Sequence, residues 1–292
     1  MGAGRLAGAG DGTGAAGGAV GGPTGRSPVP QARRRFCRGQ RVLAPRGGPA
    51  YGRGMDIVEI LPRLHLLRFA VGQAYLWRDG DELTLVDAGA RGACVPVVEA
   101  ITSLGGGPAR LRRIVLTHFH EDHADGAGEL AAETGAQVLA HRLDAPVVLG
   151  ELPGPPPVLE DWERPLHATA STRLPGGEPV RPAEVTGLSD GDTVDFGGGA
   201  RVLHVPGHTH GSIALHLPRH GVLFTGDTIA ASPVDGAVMP GVFNLDRSET
   251  LASFHRLAAL DTEVACFGHG DPVTARAGAV LREAARRHPV QS

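Results

Sequence analysis

Residues 117–126, Thr-His-Phe-His-Glu-Asp-His-Ala-Asp-Gly, place three histidines and an aspartate within six positions, directly after the run Arg113-Ile-Val-Leu116. His118, His120, Asp122 and His123 read His-x-His-x-Asp-His. Side chains on an extended chain repeat every second residue, so His118 and His120 face one side as the strand ends. Asp122 and His123 point elsewhere as the chain turns towards a helix. One loop therefore offers two adjacent ligand clusters, which is what a pair of metal ions a few ångströms apart requires. A fold that uses them must bring further donors to the same strand end.

Three later segments can supply those donors. Val205-Pro-Gly-His208-Thr-His210-Gly-Ser212 sets a histidine in a Pro-Gly turn between apolar stretches. Phe224-Thr-Gly-Asp227-Thr228 ends an apolar run with a carboxylate, and Cys266-Phe-Gly-His269-Gly-Asp-Pro272 ends another with a histidine. Each is a strand-to-loop junction bracketed by Gly or Pro, where loops gather over one rim of a scaffold. Imidazole and carboxylate donors of this kind suit Zn2+, with Fe or Mn as alternatives.

With these motifs in this order, the chain from about Met55 onward resembles the metallo-β-lactamase-fold hydrolases. The resemblance implies an α/β architecture, the αβ/βα four-layer sandwich: two mixed sheets face to face, helices outside, metals at one edge. It implies a first metal held by His118, His120 and His208, and a second by Asp122, His123 and His269, with Asp227 bridging both. Asp87, in Leu85-Val-Asp87-Ala-Gly89, matches the family's early aspartate, which buttresses the ligand loop. His210 stands where the family usually has another residue, often proline. It is either a pocket group or a solvent-facing turn residue. The other histidines are read as surface or core residues.

Composition limits what else the chain can be. Residues 1–54 carry nine arginines, one aspartate and 16 of the 44 glycines, about +8 in charge, while the remainder is about −11. The arm is too poor in apolar residues to fold alone, lacks the apolar core of a secretory signal and is too glycine-rich for an amphipathic transit helix. Every basic residue is arginine, the bias of a high-G+C coding sequence. Residues 1–54 are therefore expected to be a disordered extension or a start-site artefact, with Met55 as initiator and 55–292 as the folded domain. The acidic body disfavours nucleic acid as a partner, and no apolar run approaches a membrane span. Cys37, Cys94 and Cys266, odd in number and widely spaced, fit reduced thiols and a cytoplasmic setting.

Along the domain, strands are expected at Ile57–Ile60, Leu64–Phe69, Ala74–Trp77, Glu82–Val86, Ile114–Leu116 and Gln137–Ala140. A second series runs over Thr193–Phe196, Ala200–His204, Ser212–Leu217, Val222–Phe224 and Glu263–Phe267. Helices are expected at Arg91–Ser103, Ala127–Glu133, Ser248–Leu260 and Ala275–Arg287. Eight prolines between 150 and 182 argue against regular structure through most of that insertion. It is either an exposed loop, with Trp162 and Leu166 as anchors, or a lid beside the metal edge.

The function expected is a binuclear hydrolase acting on a small-molecule substrate, with thioesters and lactones ranked above β-lactams. Asp122 orients the attacking water or accepts its proton, and Asp227 offsets the charge of two cations. Metallo-β-lactamases proper usually lack a carboxylate at the bridging position. The 23 residues after His269 are too few for the helical substrate domain of typical hydroxyacylglutathione hydrolases. The alternative is a mononuclear iron oxygenase like the persulfide dioxygenases, which use chiefly the first triad. Oligomeric state is not legible.

Overall fold

A computed structural model of the protein describes residues 55–290. The expectations for residues 1–54, and Cys37 with them, lie outside the described residues. Seven strands form the first sheet in sequential order: β1 (Asp56–Leu61), β2 (Leu64–Arg68), β3 (Gln73–Asp79), β4 (Glu82–Val86), β5 (Leu111–Val115), β6 (Gln137–His141) and β7 (Thr186–Leu188). β1 to β4 pair antiparallel, and β4 to β7 pair parallel. The second sheet contains β8 (Thr193–Val194), β9 (Ala200–His204), β10 (Ile213–Leu217), β11 (Val222–Phe224) and β14 (Val264–Cys266), in the order β14-β11-β10-β9-β8. A small hairpin, β12 (Ile229–Ala231) and β13 (Val238–Pro240), lies between β11 and β14 in sequence.

Alternation along the strands builds the layers. Tyr75, Trp77, Leu64 and Leu66 from the first sheet meet Ile213, Leu215, Leu217 and Phe224 from the second in one buried cluster. The residues between them point outward: Leu67, Leu76 and Leu85 pack with Val97 and Ile101 of α1 (Cys94–Ser103). Leu130, from α3 (Ala127–Thr134), which follows the single turn α2 (Glu121–Ala124), joins that cluster. Leu203, Ala214 and Leu223 pack with Phe254 and Leu257 of α6 (Arg247–Ala258) and Leu281 of α7 (Ala277–Arg287). Period-two patterning thus sandwiches two sheets between two helical layers. No helix among the described residues is long and apolar enough to cross a membrane.

Boundaries moved where backbone signs dictated. α1 begins at Cys94 rather than Arg91 because Gly92 is left-handed (φ 83°), and α7 begins after Arg276 (φ 52°). The strand before the metal loop is Leu111–Val115, shifted towards the N-terminus from the expected 114–116. After the single turn α4 (Ala145–Val148), the insertion lacks regular structure through most of its length, as its prolines imply, with one exception. It contains α5 (Arg164–Ser171), which Pro165 opens because a first-turn residue needs no N–H partner. Trp162 and Leu166 do not anchor it; they are 47% and 51% exposed, whereas Glu163 is buried at 1%.

Candidate metal centre

The parallel pairs set the site. β4 and β5 run side by side with Val86 opposite Val115, so the residues after each emerge at the same edge. In the second sheet, β11 and β14 are parallel with Phe224 opposite Cys266, which sends Asp227 and His269 out together. β9 runs in the same sense as β11, being antiparallel to β10 as β11 is, and delivers His208. The two edges are joined where Ile213 N–H donates to the Thr117 carbonyl (2.9 Å). Gln73 Nε2 and Tyr75 Oη, on the first sheet, both donate to the Phe267 carbonyl at 2.8 Å and steady the strand end that carries His269.

All seven expected donors meet there. One ligand atom each of His118, His120 and His208 lie within 4.8 Å of one another; so do those of Asp122, His123 and His269, and those of His118, His123 and Asp227. Asp227 stands between the groups: its Oδ2 is 3.2 Å from His269 Nε2 and 3.7 Å from His208 Nε2, and its Oδ1 is 3.4 Å from His123 Nε2. Asp122 Oδ2 is 3.1 Å from His269 Nε2. Gly268 makes this approach possible, because a Cβ there would collide with Asp227 Oδ1 and come within 2.7 Å of the His123 ring.

The hydrogen-bond network assigns which nitrogen each ring presents. Asp87 Oδ1 accepts from Thr117 N–H (2.7 Å) and its Oδ2 from the Thr117 hydroxyl (2.9 Å). With its proton so committed, Thr117 Oγ1 accepts from His118 Nδ1–H at 3.0 Å, leaving the His118 Nε2 lone pair bare. His123 Nδ1–H donates to Asp87 Oδ2 (2.9 Å) and likewise turns Nε2 inward. His208 Nδ1–H donates to Asn244 Oδ1 (3.2 Å), and Asn244 Nδ2–H donates to the Gly241 carbonyl (2.8 Å), which fixes the amide orientation. His120 presents Nδ1, 2.9 Å from His208 Nε2. Four rings, those of His118, His123, His208 and His269, therefore offer Nε2 and that of His120 offers Nδ1, with His118, His123 and His208 each held by a partner on the far side.

Two buried atoms at the centre, His118 Nε2 and Asp227 Oδ1, have no hydrogen-bond partner. Buried polar atoms are ordinarily satisfied, and an imidazole lone pair beside a carboxylate oxygen is the donor set that a divalent cation would satisfy. The electrostatics agree. Burial, reinforced by neighbouring imidazoles, keeps His118 well below the ordinary histidine range and His120 down at about 3; burial also lowers His208. These rings are neutral ligands at physiological pH. Burial opposes charge on His123 too, but Asp122, Asp227 and Asp87 outweigh it and lift the ring to about 9. Burial likewise opposes ionisation of Asp122 and Asp227, yet the facing histidines hold both below the usual carboxylate range. The two carboxylates make this half of the site a seat for positive charge.

Two residues here escaped the sequence. Asn244 lies in a loop without a motif. Asp144, 1% exposed, accepts from Phe119 N–H (3.1 Å), the Thr209 hydroxyl (2.7 Å) and Gly211 N–H (2.7 Å), tying the loop of His118 and His120 to that of His208. Burial pushes its carboxyl up to about 6 against the pull of these donors, so it is charged at neutral pH. Its signal was a carboxylate three residues past the end of β6, near the same strand edge at which Asp87 directly follows β4. His210 is exposed, and its carbonyl accepts from His204 Nε2–H (2.8 Å). Cys266 is a buried core thiol, pushed up by burial.

Residues 67–269 match the family model described as the metallo-beta-lactamase superfamily. Over 163 residues the chain is 37% identical to a hydroxyacylglutathione hydrolase of Gloeobacter violaceus, covering 53% of this chain and 50% of the relative. A probable metallo-hydrolase of Bacillus subtilis, YflN, is 30% identical over 204 residues, 66% of this chain and 76% of that one. The chain spans about half the length of the first curated relatives it matches. A solved metallo-beta-lactamase family protein of Thermus thermophilus superposes with TM-score 0.55 at 27% identity, over 78% of each chain. The metallo-beta-lactamase SMB-1, at 21% identity and TM-score 0.57 over 78% of this chain and 92% of that one, shares the fold.

Proposed function

The chain belongs to the metallo-beta-lactamase superfamily, and from that premise we propose a binuclear metal-dependent hydrolase, with two Zn2+, that cleaves a thioester or lactone in a small molecule. The observation that carries this reading is the convergence of seven donors, two of whose buried atoms, His118 Nε2 and Asp227 Oδ1, have no hydrogen-bond partner. His118, His120 and His208 would hold one cation; Asp122, His123 and His269 would hold the other; Asp227 faces both. Bound there, the cations would supply Lewis acidity, lowering the pKa of a water and polarising the scissile carbonyl.

The chain's own residues do the rest. Asp122 Oδ2 takes the proton of the attacking water and orients it. Asp87 and Asn244 hold the His123 and His208 rings with Nε2 inward, so no ring reorients during turnover. A thiolate departs without needing protonation, which matches a rim on which the donors are committed to metal and His210 is exposed. Relatives named hydroxyacylglutathione hydrolase act, by that name, on a thioester, and this supports the bond class. The acidic body favours a small substrate over the phosphate backbone of a nucleic acid.

The test is metal content per chain followed by a panel of thioester, lactone, β-lactam and phosphodiester probes. Two zinc per chain with thioester or lactone turnover is expected. One iron per chain with oxygen consumption would replace this reading with the mononuclear oxygenase.

A further inference from the structure

The insertion touches the loop that carries His118 and His120 and the Phe243–Asn244 loop that packs against His208. Gly154 lies close against the Phe119 ring, where a Cβ would come within 2.6 Å of Cε2, and Phe119 itself packs edge-on against His120 with centroids 4.8 Å apart. Val158 N–H donates to the Asn244 carbonyl (2.9 Å). The deepest tie is Glu163. Its Oε2 accepts from Glu160 N–H (2.9 Å) within the insertion, and its Oε1 from Phe243 N–H (3.1 Å) across the gap. The neighbouring Arg164 turns to Asp161 instead (3.3 Å), so the buried carboxylate spends its charge on two backbone donors. One turn further along α5, the His167 ring meets the Phe243 ring edge-on at 5.1 Å.

Phe243 is left-handed (φ 60°), a conformation that residues with a Cβ rarely adopt. The next residue, Asn244, is the acceptor for His208 Nδ1–H. Leu245 N–H and Asp246 N–H then return to the His208 and Gly207 carbonyls (3.3 and 2.8 Å). A strained corner therefore sits between Glu163 and the group that orients His208, and something must hold it there.

We propose that Glu163 is a positioning residue: it latches the proline-rich insertion to the Phe243–Asn244 corner and, through Asn244, fixes the His208 imidazole for metal binding. The insertion is then part of the first metal site and not an appendage to it. This rests on the metallohydrolase reading for its consequence in zinc binding, but the ring orientation itself is a property of the metal-free protein.

The experiment compares wild type, Glu163→Ala, Glu163→Gln, Asn244→Ala and the Glu163→Ala/Asn244→Ala double variant, with Leu166→Ala on the exposed side of α5 as control. Zinc affinity is titrated against a competing chelator, and the His208 ring N–H is followed by nitrogen-labelled NMR without metal. Partners of metal ligands change affinity by about 10–100-fold. Glu163 acts one step further out, so Glu163→Ala is expected to weaken one of the two zinc equivalents about tenfold, and Glu163→Gln, keeping one acceptor, by less. The double variant should be no weaker than Asn244→Ala alone, because both act on the same ring. In metal-free protein the His208 ring N–H should exchange faster in Glu163→Ala than in wild type or Leu166→Ala. Unchanged zinc affinities, losses that multiply in the double variant, or an unchanged His208 signal would each overturn the latch. If Glu163→Ala does not fold, Glu163→Gln carries the same comparisons. A wild type that binds fewer than two zinc, with a ring signal that still responds to Glu163, would sink the hydrolase reading and leave the latch standing.

Discussion

The two halves of the molecule contribute to the site in unlike ways. The first sheet sends out four donors, His118, His120, Asp122 and His123, on one loop after β5. The second sends out three, His208, Asp227 and His269, each from a different strand end. Donors on one loop keep their spacing by local geometry alone. Donors on three loops have no such guarantee and depend on register within the second sheet and on bonds that cross between halves. Those crossing bonds include Ile213 N–H to Thr117, Gln73 and Tyr75 to Phe267, and Thr209 and Gly211 to Asp144. Disruption of the second half should therefore cost more, and spread further, than equivalent disruption of the first.

The sharpest challenge to that contrast is Asp227→Ala. Asp227 lies against histidines of both halves, so its loss should abolish at least one zinc and lower turnover by more than about a thousandfold, beyond the roughly 10–100-fold seen for residues one step removed from a metal. Metal analysis and steady-state rates decide it; full metal content with normal turnover would remove Asp227 from between the two sets. Next in size is Asp144→Ala, which strands Phe119 N–H and Gly211 N–H in the interior. Buried donors without acceptors cost about 1–3 kcal/mol each, so chemical denaturation should show a loss of roughly 3–5 kcal/mol. Zinc binding at the His118, His120 and His208 set should weaken with it. Loss of stability without loss of zinc would mean that the halves hold their spacing without this tie.

The same contrast explains what could be read in advance. The His-x-His-x-Asp-His loop was legible because its donors are contiguous and their chemistry is local. His208, Asp227 and His269 were legible because Gly and Pro mark each strand end. The four layers followed from period-two alternation in strands such as Gln73–Asp79, where Tyr75 and Trp77 face one way and Ala74 and Leu76 the other. What stayed hidden acts only across the fold. Asn244, Asp144 and Glu163 carry no motif, and their roles exist only once distant backbone N–H groups or ring nitrogens reach them. The helix Arg164–Ser171 was obscured by prolines, one of which opens it.

A smaller effect tests the first half by itself. Asp87→Asn keeps a side chain that tolerates the left-handed backbone there (φ 61°) but replaces the carboxylate that serves Thr117 and His123. Zinc at the Asp122, His123 and His269 set should weaken by about 10–100-fold, and the other equivalent by less, because Asp87 reaches His118 only through the Thr117 hydroxyl. Competition titration resolves the two. Equal weakening of both would show that Asp87 supports the whole loop through Thr117 rather than the His123 ring.

The mildest expected effect comes from a pair that joins the halves away from the metal centre. His141 ends β6 and His204 ends β9, and their rings stack with centroids 4.2 Å apart and 8° between planes. His141 Nδ1 accepts from Leu143 N–H (3.4 Å), so the ring is neutral in the fold. Burial, with His204 and Arg142 adding to it, holds His141 down at about 4. The unfolded chain, with an ordinary histidine near 6.5, binds more protons between those two values than the folded one does. Stability from this pair is therefore complete above about pH 6.5 and drains as pH falls towards 4. His141→Gln cannot take up that proton, so its melting temperature should fall less than that of wild type between pH 7 and pH 5, even if it starts lower. Parallel melting curves would show that the stacked pair carries no pH-sensitive share of the contact between the halves, and the bonds around Asp144 would then bear that contact in this region.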